Sequence, residues 1–260
     1  MKSLTKTLSD ALLIEKPSLE IEKLFKTKEF QDFLPELEQL KQCQQDPDHH
    51  PEGSVWNHTM LVIDEASELK SITDKPLQFM YAALFHDIGK PQSESIDSDG
   101  KIHSYDHDSI GADMIKALTS RMELPKDYQS FIEPLVRYHM RMHWLERLSD
   151  KKVIKMMLTC DMLSLLCLNK ADTLGRKLDK TKLLIKLKFE EKYKRIDRLS
   201  QGQFGKIIPI VSHETLISES LSSTKDQDEI ELKIAFDLQL QGKSKEQIIK
   251  TLTKRKKQRL

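Results

Sequence analysis

Apolar residues recur at helical spacing along most of the chain, and turns rich in Pro, Gly or Asp interrupt them at a few places. Ile21, Leu24, Phe25 and Phe30 share one face of an amphipathic stretch over 18–41, with Pro35 starting a second short turn. Residues 46–53 read as a loop, after which Ser54 can cap a helix running through His58 to about Leu69. A further helix is predicted over 76–88, ended by Gly89 and Pro91. The stretch 92–105 is polar with a Ser-Asp-Gly turn, which suits a short hairpin. Helices follow over about 107–122, 127–143, 151–173 and 181–199. The periodicity breaks over 201–225. It resumes from about 229 as a helix pair interrupted at Gly242-Lys243-Ser244, with Ser244 as an N-cap. The expected fold is all-α, a helical bundle with at most a short β-hairpin, plus C-terminal helices.

Composition agrees. Only 8 Gly and 9 Pro in 260 residues argue against a turn-rich β protein. A net charge of +1 gives no global preference for an acidic partner, so any affinity for nucleic acid must come from local patches. Cys43, Cys160 and Cys167 are too few and too scattered for a disulfide framework or a cysteine-rich zinc site. Cys160 and Cys167, seven apart, read as small core residues on one helix face. The N-terminus has no apolar run of signal-peptide length. No stretch reaches the roughly 20 apolar residues that span a bilayer, so a soluble, cytoplasmic protein is expected.

Histidine is unevenly spread: of nine, all but His213 lie between positions 49 and 143. Neutral imidazole offers a lone pair near pH 7 and Asp offers a hard anionic oxygen, so the pair His86-Asp87 is the sharpest local feature. Neighbouring helical residues point about 100° apart, and both can reach one ion beside the helix end. The bare dipeptide is commonly a surface pair. Here Leu84, Phe85 and Ile88 surround it with apolar residues, and buried ionisable groups need a partner or a metal. Lys90 suits the helix C-terminus through the macrodipole, and from the same place it can receive a phosphate.

The succession His58, His86-Asp87 and Asp172 resembles the H…HD…D signature of the HD metal-dependent phosphohydrolase superfamily. More closely, the run from His50 to Thr59 (HPEGSVWNHT) resembles the start of the HD domain of bacterial CCA-adding tRNA nucleotidyltransferases. The similarity continues through Ala82 to Pro91, His107 to Ala112, Val136 to Arg141 and Lys170 to Arg176, and covers roughly 20–200. It implies an HD domain with lead-in helices over 1–200 and a C-terminal helical extension with a basic tail over 201–260. Two departures stand out. Only 57 residues precede His58, too few for a nucleotidyltransferase head, and no Gly-Ser motif with paired acidic ligands occurs, so nucleotide addition is not expected. Asp106 stands where the family usually has Gly, which alters backbone freedom beside His107.

The resemblance implies that His58, His86, Asp87 and Asp172 hold a divalent ion (Mg, Mn, Ni, Co or Fe) that polarises a phosphoryl group and activates water. Lys90 would then neutralise the phosphate as a point charge. His107 and His139 either complete a site for a second ion or donate a proton or hydrogen bond to the leaving oxygen. His50, Arg137 and Arg141 are candidate substrate-binding residues, with Glu52 and His143 in the same second rank. Arg137 and Arg141, four apart, would share a helix face, as a phosphate fork or as a solvated stripe. His49 and His103 read as loop residues and His213 as uninvolved. Trp56 reads as a core residue near the site, with base stacking as the alternative.

The implied activities are those of a 2′,3′-cyclic phosphodiesterase, 2′-nucleotidase or phosphatase acting on nucleotides or RNA 3′ ends. Residues 176–198 carry ten Lys or Arg against four Asp or Glu, and the chain ends in a basic run from Lys254. Such stripes either track a phosphate backbone or are solvated helix faces. The competing reading is a non-catalytic RNA-binding or scaffolding module derived from a CCA-adding enzyme. An oxygenase with two irons, and hydrolysis of nucleoside triphosphates or alarmones, are further alternatives.

Overall fold

A computed structural model gives the fold. It describes residues 2–200, 211, 213–221 and 243–258, together with 230–232, 234, 235 and 238. Among these the regular structure is helical except for one antiparallel hairpin.

The lead-in stretch forms four short helices, α1 (Lys2–Leu13), α2 (Pro17–Leu24), α3 (Lys28–Phe33) and α4 (Pro35–Gln39). The sequence reading gave no helix at 2–13, yet Leu8 and Leu12 are fully buried and Thr5 Oγ1 donates to the Met122 carbonyl at 2.8 Å. The stretch expected to be one helix with a following turn breaks at Phe25, where Thr27 starts α3 as an N-cap, and again at Pro35.

The five helices that build the site follow. Gly53 turns the chain at φ +94°, and the Ser54 hydroxyl then accepts from the Asn57 N–H at 3.3 Å to open α5 (Val55–Ser67). Pro76 opens α6 (Pro76–Phe85), which is buried on nearly every side as its run of apolar residues requires. Its backbone stays helical through His86. Gly89 does not end it with a left-handed turn, since its φ is −82°. It serves a different need: a Cβ there would lie 2.2 Å from the His107 carbonyl oxygen and 2.6 Å from the Gly111 nitrogen. Its hydrogen lets the turn after α6 touch α8 (His107–Arg121) backbone to backbone.

Between them lie α7 (Lys90–Ser93) and the hairpin of β1 (Glu94–Ile96) and β2 (Ile102–Ser104), paired Glu94 to Ser104 and Ile96 to Ile102. Asp97 accepts the Asp99 and Lys101 N–H groups across the turn, as the polar composition there predicted. Helix α9 (Lys126–Tyr138) follows and packs along α8, and a 3-10 segment, Met140–Arg147, replaces the expected continuation to 143. The helix expected at 151–173 divides into α10 (Asp150–Met157) and α11 (Met162–Leu174), because the Asp161 carboxylate caps the Ser164 N–H at 2.7 Å. Cys160 and Cys167 are both buried, but only Cys167 is on a helix, so they share no helix face. Likewise the stretch 181–199 divides at Lys188, which adopts φ +49°, into α12 (Lys180–Leu187) and α13 (Phe189–Leu199).

One large core unites the elements from α1 to α13, with α6 packed against α1, α5, α9 and α11. Beyond it, α14 (His213–Ser218) and α15 (Lys245–Lys257) contribute to a separate small cluster that includes Leu216, Ile248 and Leu252. Ser244 caps α15 in a reciprocal capping box with Gln247. Of the first helix of the expected C-terminal pair, 230–232, 234, 235 and 238 are helical. The rest of it, most of the aperiodic run at 201–225, the side chain of His213 and the last two residues of the basic tail lie outside the described residues. No helix among the described residues is long and apolar enough to cross a membrane.

Candidate metal centre

Four imidazoles and two carboxylates converge where the start of α5, the end of α6, the start of α8, the end of α9 and the last turns of α11 meet. His58, His86, Asp87, His107, His139 and Asp172 are all buried there. Three of the histidines share one local geometry. Each turns Nδ1 toward the main-chain carbonyl three residues earlier: His86 to Ala83 at 2.8 Å, His107 to Ser104 at 2.6 Å and His139 to Val136 at 2.6 Å. A carbonyl only accepts, so Nδ1 carries the proton and Nε2 presents a lone pair. His58 reaches the same state differently, its Nδ1 donating to Glu52 Oε1 at 2.9 Å.

All four Nε2 atoms face the Asp87 carboxylate. Those of His58 and His86 lie 3.9 and 3.3 Å from Oδ2, and those of His107 and His139 lie 3.2 and 3.6 Å from Oδ1. Nε2 of His86 is buried without any hydrogen-bond partner, and the Nε2 atoms of His107 and His139 are only 3.3 Å apart. Lone pairs held against each other and against a carboxylate repel unless positive charge stands among them. Among the described residues, beside the trio His50, Glu52 and His58, two groups of three side chains offer donor atoms within 4.8 Å of one another: His58, His86 and Asp87, then Asp87, His107 and His139. Asp87 belongs to both. Asp172 joins through His58, whose Nε2 is 3.1 Å from Oδ1, while Oδ2 accepts from His143 Nε2 at 2.8 Å. This set of nitrogen and carboxylate donors fits divalent cations.

The electrostatics point the same way. Burial drives the His58 ring toward neutrality, but its contacts with Asp172 and Glu52 outweigh that and hold its pKa above the ordinary value. Burial pushes the Asp87 carboxyl up, and the electrostatic pull of His86 and Lys90, then the contacts with His107 and His139, bring it well below the usual range. Asp172 is lowered in the same manner, burial being overcome by Arg176, His143 and His58. The pocket favours a cation at its centre, whether a proton or a metal ion.

A cleft of about 540 Å³ opens above the cluster, with Lys90, His107, His50, His143, Trp144 and Arg176 on its walls. A family model for the HD domain matches residues 55–188, just over half of the chain. The chain belongs to the HD-domain family. The matched segment holds all six converging side chains, and this HD protein is a metal-dependent phosphohydrolase with a buried His/Asp cluster. Relatives include the multifunctional CCA protein of Verminephrobacter eiseniae, 32% identical over 61% of this chain and 37% of that protein. That of Hahella chejuensis is 32% identical over 50% of this chain and 29% of its own length. The chain thus spans about a third of the length of these relatives.

Within the HD site, Lys90 is less free than a phosphate-neutralising lysine would be. Its Nζ sits 2.7 Å from Asp87 Oδ2 and donates to Gln45 Oε1 at 2.6 Å. His50 leans on the site from outside, its Nδ1 donating to the same Glu52 oxygen that braces His58. Burial lowers His50 to about 4, against the pull of Glu52. Arg137 and Arg141 do not line the cleft. The first is held by Glu133 and Asp113 and the second lies over the Tyr138 ring, and because α9 ends at Tyr138 they share no helix face. Trp56 packs in the core against Phe25, outside the cleft lining. His49 and His103 do line it, with His103 on β2.

Four contributors had no assigned role in the sequence reading. Arg176 reaches Asp172 at 3.5 Å from one turn further along the chain. Lys192 is buried with its Nζ donating to Asn169 Oδ1 at 2.9 Å, and burial lowers it to about 8 against the pull of Glu146 and Asp172. Gln45 and Asn169 are neutral amides whose side-chain oxygens accept from Lys90 and Lys192 respectively. Only Arg176 carried a signal, its position in the motif ending Asp172-Thr173-Leu174-Gly175-Arg176.

Proposed function

We propose that this protein hydrolyses phosphoesters of nucleotides or RNA 3′ ends at a centre of two divalent ions that share the Asp87 carboxylate. His58, His86 and Asp172 complete one side of Asp87, and His107 and His139 complete the other. The observation that carries the reading is the division of that carboxylate. Its Oδ2 faces two imidazole lone pairs and its Oδ1 faces two more, and every one of these rings is locked by a proton on Nδ1. Ions bound there would polarise the phosphoryl group and activate a water nucleophile.

The chain's own residues supply the rest. Lys90 holds Asp87 in place and offsets its charge. Glu52 fixes the His58 tautomer, and its second oxygen accepts the Lys177 N–H at 3.1 Å, which ties the brace to the segment after α11. Arg176 and His143 bring donors to the cleft wall beside Asp172, where phosphate oxygens would lie. The choice of nucleotides and RNA ends draws support from the partial likeness to multifunctional CCA proteins.

Two members of the basic stripe serve the fold itself, which counts against the RNA-scaffold alternative at those positions. Lys192 is buried on Asn169, and Arg195 is engaged by the Leu145 and Leu148 carbonyls and by Asp150. The test is release of phosphate or of a ring-opened product from 2′,3′-cyclic nucleotides, 2′-nucleotides, an aryl phosphate and nucleoside triphosphates, with Mg, Mn, Ni, Co or Fe supplied separately. Turnover of the ribonucleotide esters that requires metal and disappears in Asp87→Ala is expected. Silence on every ester with every metal would overturn the reading.

A further inference from the structure

The walls of the cleft above the metal cluster carry two features that are not metal ligands. The first is an exposed tryptophan. Trp144 is 45% exposed although it lines the cleft, and it sits at a break in the 3-10 segment where the backbone leaves helical geometry (φ −120°, ψ 24°). Its neighbour His143 is hydrogen-bonded to Asp172, so the indole stands one residue from the side chains that ring the cluster. The lining also includes Tyr105, 69% exposed and stacked on His103 with ring planes 13° apart. Large aromatic rings left in water cost hydrophobic free energy, and here they border the same hollow as the phosphohydrolase centre.

The second feature is an under-satisfied cation. The Arg176 Nε is buried with no hydrogen-bond partner, and the guanidinium has a single ion-pair contact, to Asp172 at 3.5 Å. A guanidinium carries five N–H donors in a planar fork suited to phosphate. A buried donor without an acceptor is costly, so the site is built to receive an anion. A flat apolar ring and an unfilled anion fork in one cleft of about 540 Å³ match the two halves of one compact ligand.

Resting on the phosphohydrolase reading above, we propose that Trp144 stacks on the nucleobase of the substrate and that Arg176 receives its phosphate. The ligand of this cleft is then a single nucleotide unit, either free or at the end of a flexible strand. A duplex would not serve, since its bases are already stacked on one another. Tyr105, on its His103 support, borders the base position.

Tryptophan emission tests this directly, because the chain has two tryptophans and the other, Trp56, is buried in the core. The full chain, kept in chelator so that no probe is consumed, is titrated with adenosine and cytidine monophosphates and with ribose 5-phosphate as the base-free probe. The nucleotides are expected to quench the emission and to bind roughly tenfold or more tightly than ribose 5-phosphate, the range of one base–aromatic stack. Trp144→Phe should lose the quench and keep most of the preference, as read by competition. Trp144→Ala should lose the preference while its circular dichroism remains that of the parent. Arg176→Gln should weaken nucleotide and sugar phosphate alike. Equal affinity for nucleotide and ribose 5-phosphate, failure of both to bind, or a preference that survives Trp144→Ala would overturn the proposal. The hydrolase reading fails separately: base-selective binding without turnover would sink that reading alone, and turnover indifferent to the base would sink only this one.

Discussion

At the scale of single residues, the site is decided by where protons sit. Glu52 touches no substrate position in this account, yet its carboxylate sets the His58 tautomer through Nδ1 at 2.9 Å. Glu52→Gln keeps the volume but offers one acceptor where the charged form had two, and such braces are typically worth 10–100-fold in metal affinity. Metal titration of this variant is expected to show a loss of that size with unchanged helicity, and unchanged affinity would remove Glu52 from the site. Lys192 makes a prediction with a defined sign. Its folded pKa of about 8 lies below the 10.5 of an exposed lysine. Between those values the unfolded chain binds the extra proton, so this group's contribution to stability rises with pH across that window and is lost below it. Lys192→Met should therefore be most stabilising, relative to the parent, near neutral pH. Its advantage should shrink by about 2–3 kcal/mol by pH 10, read from urea midpoints at both pH values.

At the scale of elements, the candidate ligands were legible and the helix joints were not. His86 and Asp87 announced themselves because two ionisable side chains ended a run from Phe79 to Phe85 that is wholly buried. The breaks at Asp161 and Lys188 passed unseen because apolar spacing continues across both. Asp161 is an N-cap only once the chain has turned, and Lys188 adopts φ +49° with no glycine to mark it. The helix at 2–13 was missed because its Ser- and Thr-rich sequence has modest helix propensity, and it is burial of Leu8 and Leu12 that holds it. Asp106 shows the reverse case. The family's usual Gly there implied special backbone freedom, and the residue does adopt φ +58°, as an Asp among the few L-residues that tolerate it. Gly89 gives the element-scale prediction. Gly89→Ala would press a methyl into the His107 carbonyl and the Gly111 backbone, neither of which is a flexible tip. The variant should lose roughly 1–3 kcal/mol in denaturant unfolding. It should also bind metal less well on the His107 and His139 side, whereas a parent-like midpoint would show that α8 can give way.

At the scale of the whole molecule, five helices that are far apart in sequence bring their ends to one point, and the large core fixes that point more firmly than any loop would. This is why the signature residues, spread from His58 to Asp172, meet around Asp87. The walls of the cleft were harder to foresee. Trp144, Arg176 and Lys192 come from a 3-10 segment, the turn after α11 and a separate helix, and no periodicity links them. The central claim is that Asp87 divides its two oxygens between two ions. Metal content after equilibrium with Mn and desalting, measured by mass spectrometry, tests it most directly. The account predicts two ions per chain in the parent, one in a His107→Ala, His139→Ala double variant, and none in Asp87→Ala. A parent that holds no metal, or a double variant that still holds two, would contradict it.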